Sequence, residues 1–220
     1  MGEDVRFLFD FVSPYSYLAS TQIRGLASRY GRDVEPVPVL FAGMLDATGS
    51  RGPAEIQSKR HYMHWDVVRI ARALGVPIEP PATHPFTPLA ALRVTGCIPE
   101  SMARWRLIDA LYRAAWVEGQ RVDQSEVVVR IADDVGLDGH ALLEQATSVE
   151  GKARLRHATE QAVRAGAFGV PTMFVDGEMY WGVDSLPYVE SLLGGEKTMD
   201  PAGLARWRAV VPSAVRRGAG

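Results

Sequence analysis

Ser13-Pro14-Tyr15-Ser16 has the spacing of a dithiol redox motif, Cys-x-x-Cys, with serine at both cysteine positions. It stands where an apolar run, Val5-Arg6-Phe7-Leu8-Phe9-Asp10-Phe11-Val12, gives way to a helical pattern. A cysteine at a helix N-terminus is reactive because free N–H groups and the positive end of the helix dipole stabilise its thiolate. Serine keeps that electropositive end but cannot form a disulfide, so a thiol acting here must come from outside the chain. A serine hydroxyl and a helix N-terminus together can hydrogen-bond a bound thiolate and favour its charged form. The same residues also read as an ordinary helix start, with serine as N-cap and proline in the first turn.

A second signal lies far along the chain, in Phe168-Gly169-Val170-Pro171-Thr172-Met173-Phe174-Val175-Asp176-Gly177-Glu178-Met179-Tyr180-Trp181-Gly182-Val183-Asp184. An apolar run, an Asp-Gly turn and a second short run read as a β-hairpin. In a thioredoxin-like sheet the proline that opens this strand faces the active-site helix. Paired with the first motif, this predicts a cis Val170–Pro171 bond that turns the Val170 N–H and C=O outward, free to pair with an extended peptide. Glutathione, a peptide that carries a thiol, answers both signals.

These two halves set the expected organisation, an α/β thioredoxin-like fold with an all-helical insertion domain. The first half is strand 5–12, helix 14–30 and strand 34–40; the second is helix 151–166, strands 172–175 and 178–181, and helix 184–193. Between them, apolar residues recur at helical spacing over 53–74, 100–118, 124–135 and 138–145, punctuated by Gly31, Gly49, Gly75, the Pro80-Pro81 pair and Gly136. The expected domains are 1–45 with 150–200, a helical insertion over 46–149 that packs over the active-site face, and a C-terminal helix within 200–217 ending in a frayed tail.

Composition narrows the partners. Lys plus Arg (24) nearly balance Asp plus Glu (26), which argues against nucleic acid and anionic membrane surfaces. No run approaches the roughly 18 apolar residues of a membrane span. Met1-Gly2-Glu3-Asp4 is acidic and opens no secretory h-region, and Arg6 stands where a myristoylation signal has Ser or Thr. With one cysteine, Cys97, no internal disulfide can form, and the cytoplasm is the expected location. Cys97 follows an apolar helical stripe, Leu89 to Gly96, has no electropositive neighbour in sequence, and reads as a small residue packed near a helix end. The five histidines, His61, His64, His84, His140 and His157, lack the spacing of a ligand set, so no metal is expected. Ser13 lacks the flanking glycines of a hydrolase nucleophile elbow, and no neighbouring base is in evidence.

Taken together, Phe9-Asp10-Phe11-Val12-Ser13-Pro14-Tyr15-Ser16-Tyr17-Leu18, Gly52-Pro53-Ala54-Glu55-Ile56, Lys59-Arg60, Asp66 to Ala71, His84-Pro85-Phe86, Phe168 to Thr172 and Trp181-Gly182-Val183-Asp184 resemble the 2-hydroxychromene-2-carboxylate isomerases, relatives of the kappa-class glutathione transferases. The resemblance covers all but about the last twenty residues. It implies glutathione as cofactor, a small aromatic carboxylate as substrate, and reversible thiolate addition that lets a double bond rotate before the thiolate is eliminated. Ser13 matches the serine that holds the glutathione sulfur. Val170, beside Pro171, matches the residue whose main chain pairs with the cysteinyl unit, and Asp184 matches the acid that takes the γ-glutamyl ammonium or else caps a helix. Lys59 and Arg60 fall where cationic contacts to carboxylates stand. Ser50 and Val183 depart from the family pattern, each replacing a residue whose side chain bonds the peptide. Tyr15, Tyr62, Trp65, Phe86 and Trp181 are candidate walls for a flat substrate, and His84, Lys59 and Arg60 are candidates for its carboxylate. A transferase releasing a conjugate and a non-catalytic binding protein stay open as alternatives, and a homodimer is the expected assembly.

Overall fold

In the computed structural model, which describes residues 4–196 and 200–213, the opening apolar run is a strand for only five residues, β1 (Val5–Phe9). The expected strand to residue 12 stops at Asp10, whose carboxylate accepts the Val12 N–H at 3.0 Å and so turns the chain. Helix α1 (Pro14–Ser28) follows, with Ser13 as N-cap and Pro14 in its first turn. β2 (Val34–Pro38) is likewise shorter than expected. A helix that sequence patterning does not single out, α2 (Phe41–Thr48), comes next and is closed by Gly49 at φ 63°. The division expected at 45/46 falls inside it.

The helix expected over 53–74 is broken near its start. Residues 53–55 form a single 3-10 turn, because the Glu55 carboxylate folds back onto the Gly52 N–H at 2.7 Å and Ile56 is extended. α3 (Gln57–Leu74) begins after that break. The other expected helices are α5 (Ser101–Trp116), α6 (Ser125–Asp134), α7 (Gly139–Thr147), α8 (Val149–Arg164) and α9 (Leu186–Leu193); α4 (Leu89–Cys97) precedes them. α10 (Pro201–Arg208) is shorter than the 200–217 expectation. The expected frayed end, with Arg216 and Arg217, lies outside the described residues.

β3 (Thr172–Val175) and β4 (Glu178–Trp181) form the anticipated hairpin. Its turn puts Asp176 at φ 48° and Gly177 at φ 84°, the left-handed pair that a two-residue hairpin loop requires. The sheet order is β2-β1-β3-β4, with β1 parallel to β2 and antiparallel to β3. Period-two alternation then sends Phe7 and Phe9 to one face and Leu8 to the other. Leu8 packs with Val37, Phe174, Met44 of α2 and Ala162 of α8. Phe7 and Phe9 join α1, α9 and the insertion helix α5 in one larger core, where the Phe7 and Trp105 rings stack with centroids 6.0 Å apart. The helical insertion between the sheet strands therefore docks directly on β1. Among the described residues no helix is long and apolar enough to cross a membrane, and no group of three or more His, Cys, Asp or Glu could hold a metal.

Candidate active site

The turn from β1 into α1 is held from below and from the side. Below it, the fully buried Asp10 carboxylate takes the Val12 N–H through Oδ1 and the Phe41 N–H through Oδ2, at 3.0 and 2.9 Å. From the side, three successive carbonyls each accept a side-chain hydrogen bond: Asp10 from the Tyr112 hydroxyl (3.3 Å), Phe11 from Trp116 Nε1 (2.9 Å) and Val12 from His84 Nε2 (3.0 Å). Ser13 comes out of this clamp at the N-terminus of α1, 7% exposed, with Oγ accepting the Ser16 N–H at 3.1 Å. That bond uses the oxygen as acceptor and leaves the Ser13 hydroxyl proton free to donate to an anion. Asp10, Tyr112 and Trp116 escape the sequence reading. A single acid inside Phe9-Asp10-Phe11 was the available sign, since a charge in a buried run must find partners.

Next to Ser13, α3 supplies one wall. The Tyr15 hydroxyl donates to Asp66 Oδ2 at 2.9 Å, fastening α1 to α3. Burial, that hydrogen bond and the nearby Asp66 and Asp184 charges hold the Tyr15 phenol above its ordinary pKa, so it stays protonated at neutral pH. Between the two helices opens a cavity of about 300 Å³ lined by Tyr15, Pro53, Ser58, Lys59, Tyr62 and Met63. At the same turn, His84 is half-buried, with its ring centroid 5.5 Å from Trp116 and 6.4 Å from Phe86. Its pKa is lowered by burial and by His64 and Arg60 of α3, against the opposing effect of the Val12 carbonyl. Thus Tyr15, Lys59, Tyr62, Arg60, His84, Phe86 and Asp184 gather around the Ser13 end of α1. His64 joins them unannounced, carried by the same helix face as Arg60.

The register of β1 on β3, Leu8 opposite Thr172, brings Val170–Pro171 beside the end of β1. The Val170–Pro171 bond is cis, as is His84–Pro85, which the sequence reading does not anticipate. The Gly182 N–H donates to the Pro171 carbonyl at 2.9 Å, while among the described residues no hydrogen bond engages the Val170 main chain. Asp184 is exposed, in the 3-10 turn that precedes α9, and its carboxylate lies over Gly182. Val183 is buried in the main core, so its side chain faces away from any ligand here. Ser50 is exposed in the loop after α2. Two aromatic candidates stand apart from the cavity: Trp65 is 68% exposed with Arg69 over its ring, and Trp181 packs on Phe168 and Gly169 at the sheet edge. Cys97 does have an electropositive neighbour, Arg154 of α8, with Nη1 3.1 Å from the sulfur. A depression of about 460 Å³ on α8 is lined by Ala153, Arg154, Arg156, His157 and Glu160 and shares no residue with the cavity beside Ser13.

An N-cap at an electropositive helix end, with its hydroxyl proton unspent, is suited to hold a thiolate that the chain itself does not carry. Restoring the two sulfurs tests that local chemistry. Ser13→Cys combined with Ser16→Cys is expected to confer dithiol–disulfide exchange with a depressed pKa at position 13, measurable as insulin reduction. The wild type is expected to be inactive in the same assay, and an active wild type would place the redox chemistry elsewhere.

The pattern of the DSBA-like thioredoxin domain matches residues 4–194. A 2-hydroxychromene-2-carboxylate isomerase of Sphingobium xenophagum is 36% identical over 197 residues, which are 88% of this chain and 99% of that protein. Glutathione S-transferase kappa 1 of Homo sapiens is 26% identical over 213 residues, 90% of this chain and 93% of that one. A solved structure of a 2-hydroxychromene-2-carboxylate isomerase superposes with a TM-score of 0.80 at 28% identity, covering 93% of this chain and 97% of that one.

Proposed function

The chain belongs to the 2-hydroxychromene-2-carboxylate isomerase family of DSBA-like thioredoxin-domain proteins, and from that premise we propose that it is a glutathione-dependent isomerase acting on 2-hydroxychromene-2-carboxylate or a near relative. The observation that carries this reading is Ser13, capping α1 where a redox relative would have cysteine, with its hydroxyl proton available and an open cavity beside it.

The residues present fit glutathione. The Val170 main chain is free to pair with the cysteinyl unit as an added strand. Lys59, on the cavity wall, offers a cation to a carboxylate, and the exposed Asp184 offers an anion to the γ-glutamyl ammonium. When bound, glutathione supplies a thiolate that adds reversibly to an electrophilic carbon of the conjugated substrate, so that a double bond becomes single, rotates and re-forms on elimination. Ser13 and the N-terminus of α1 lower the thiol pKa, since only the thiolate adds. Arg60 holds the substrate carboxylate, and Tyr62 and Phe86 present rings to a flat bicyclic molecule. The Ser13–Ser16 pair leaves no dithiol to oxidise, and the cytoplasm, where thiols stay reduced, is the compartment this chemistry asks for.

Incubating the protein with 2-hydroxychromene-2-carboxylate and substoichiometric glutathione tests the reading. Many turnovers per glutathione, with the thiol recovered, are expected. One glutathione consumed per product would make the protein a kappa-like transferase. Retention on immobilised glutathione without turnover would make it a non-catalytic binder.

A further inference from the structure

We propose that His84 is the acid–base residue of this site: fixed by the Val12 carbonyl, it uses Nδ1 to take the hydroxyl proton of the cyclic hemiketal as the ring C–O bond opens, and returns it to the phenolate oxygen. This rests on the isomerase reading above.

The argument begins with the tautomer. A carbonyl oxygen only accepts, so the 3.0 Å contact from His84 Nε2 to the Val12 oxygen puts the proton on Nε2. In the neutral ring, Nδ1 then carries the lone pair. Nδ1 has no hydrogen-bond partner among the described residues, and it is not among the buried unpaired atoms. A basic nitrogen is thus unpaired and not fully buried, on a ring hydrogen-bonded to the residue that precedes Ser13. The position is rigid because Trp116, whose ring packs edge-on to His84, spends its own N–H on the preceding carbonyl, that of Phe11. Val12 is the residue before Ser13, so the clamp that sets the serine also sets the base.

The charged and titratable groups acting on the ring are Arg60 and His64, both from α3; α5 brings the Trp116 ring and the histidine's own loop brings Phe86. Burial and the two basic neighbours lower the His84 pKa, which keeps the ring neutral and able to accept a proton at pH 7. The step balances without any oxidant. The O–H bond breaks to Nδ1, its electron pair forms the ketone C=O, and the ring C–O pair leaves on the phenolate. The imidazolium then reprotonates that oxygen, so the enzyme's proton count is unchanged.

Two measurements on the full-length protein test the assignment. Long-range proton–nitrogen NMR of histidine-labelled protein, with His84 identified by its absence from His84→Gln, is expected to show the Nε2–H tautomer titrating below pH 6.5. The Nδ1–H tautomer, or titration above pH 6.5, would overturn it. Glutamine keeps an N–H for the Val12 carbonyl but cannot titrate. With glutathione saturating, His84→Gln is therefore expected to fall roughly a hundred- to ten-thousandfold at neutral pH, with an acid limb in kcat/KM that is less steep than the wild type's and follows the bound thiol alone. Its glutathione affinity by calorimetry is expected to match the wild type. Isomerisation with the wild-type pH profile and most of the wild-type rate in His84→Gln would overturn this step alone. A wild type that fails to isomerise would overturn the isomerase reading and this step with it.

Discussion

Ser13→Ala is expected to raise the apparent pKa of the protein-bound glutathione thiol by about one to two units, read from thiolate absorbance in the ultraviolet. The scale follows from the bond removed. A hydrogen bond to a charged group contributes roughly 1.5–3 kcal/mol, and each pKa unit corresponds to about 1.4 kcal/mol. The Ser13 hydroxyl can make that bond because its oxygen serves as acceptor for the Ser16 N–H at 3.1 Å, which leaves the proton available to donate. The helix N-terminus remains in the variant, so part of the thiolate stabilisation survives. Alanine also removes the N-cap of α1, a loss of about 0.5–2 kcal/mol of stability, whereas glycine at an N-cap costs only a few tenths. Ser13→Gly therefore separates the two roles: the thiol pKa is expected to rise as in Ser13→Ala while stability stays close to wild type. A titration unchanged in both variants would remove Ser13 from the chemistry. The rate should follow the pKa, since at pH 7 each unit of rise cuts the thiolate fraction up to tenfold.

How far the sequence led depended on whether a residue acts through its neighbours in the chain or across the fold. Ser13, Pro14, Val170 and Pro171 were legible because turn and cap chemistry is local, and two such motifs with an intervening helical stretch suffice to order the sheet. The strand limits were not legible. Phe11 and Val12 are as apolar as Phe7 and Phe9, and only the Asp10 carboxylate reaching forward to the Val12 N–H ends the strand early. Likewise α3 starts at Gln57 because Glu55 turns back on Gly52, a contact that helical periodicity does not encode. The clamp on the Ser13 turn was the least visible part. Tyr112 and Trp116 lie about a hundred residues away on α5, where both are buried in the core. Their polar tips become functional only because the insertion docks on β1. The same logic covers Cys97, whose cationic neighbour Arg154 is 57 residues distant.

Asp10 gives the second large effect, a pH dependence of stability whose sign is opposite to that of most carboxylates. Burial pushes its pKa from 3.8 to about 6, with the Phe41 and Val12 hydrogen bonds opposing the rise. A raised folded-state pKa means that the native state holds the proton more tightly than the unfolded chain. The associated stability is therefore present in full below about pH 3.8 and is lost as pH rises through about 6. Two units or so correspond to a loss of about 3 kcal/mol across that window. His84 tilts the other way. Its pKa is lowered by burial, so its contribution is present above its unfolded value near 6.5 and is lost as pH falls. The two overlap in the wild-type profile, and Asp10→Asn separates them. The amide has one acceptor oxygen for two backbone donors, so either Val12 or Phe41 loses its partner, at a cost of about 1–3 kcal/mol that does not vary with pH. Urea unfolding at pH 4, 5, 6 and 7 should then show Asp10→Asn less stable than the wild type at pH 4 and gaining on it by roughly 2–2.5 kcal/mol by pH 7. Parallel curves would mean that Asp10 ionises as freely in the fold as in the unfolded chain. The same charge lies beneath the Ser13 turn, where a negative carboxylate opposes a bound thiolate. What the carboxyl group provides in exchange is two oxygens for the two N–H groups that join the end of β1 to the start of α2, where an amide offers one.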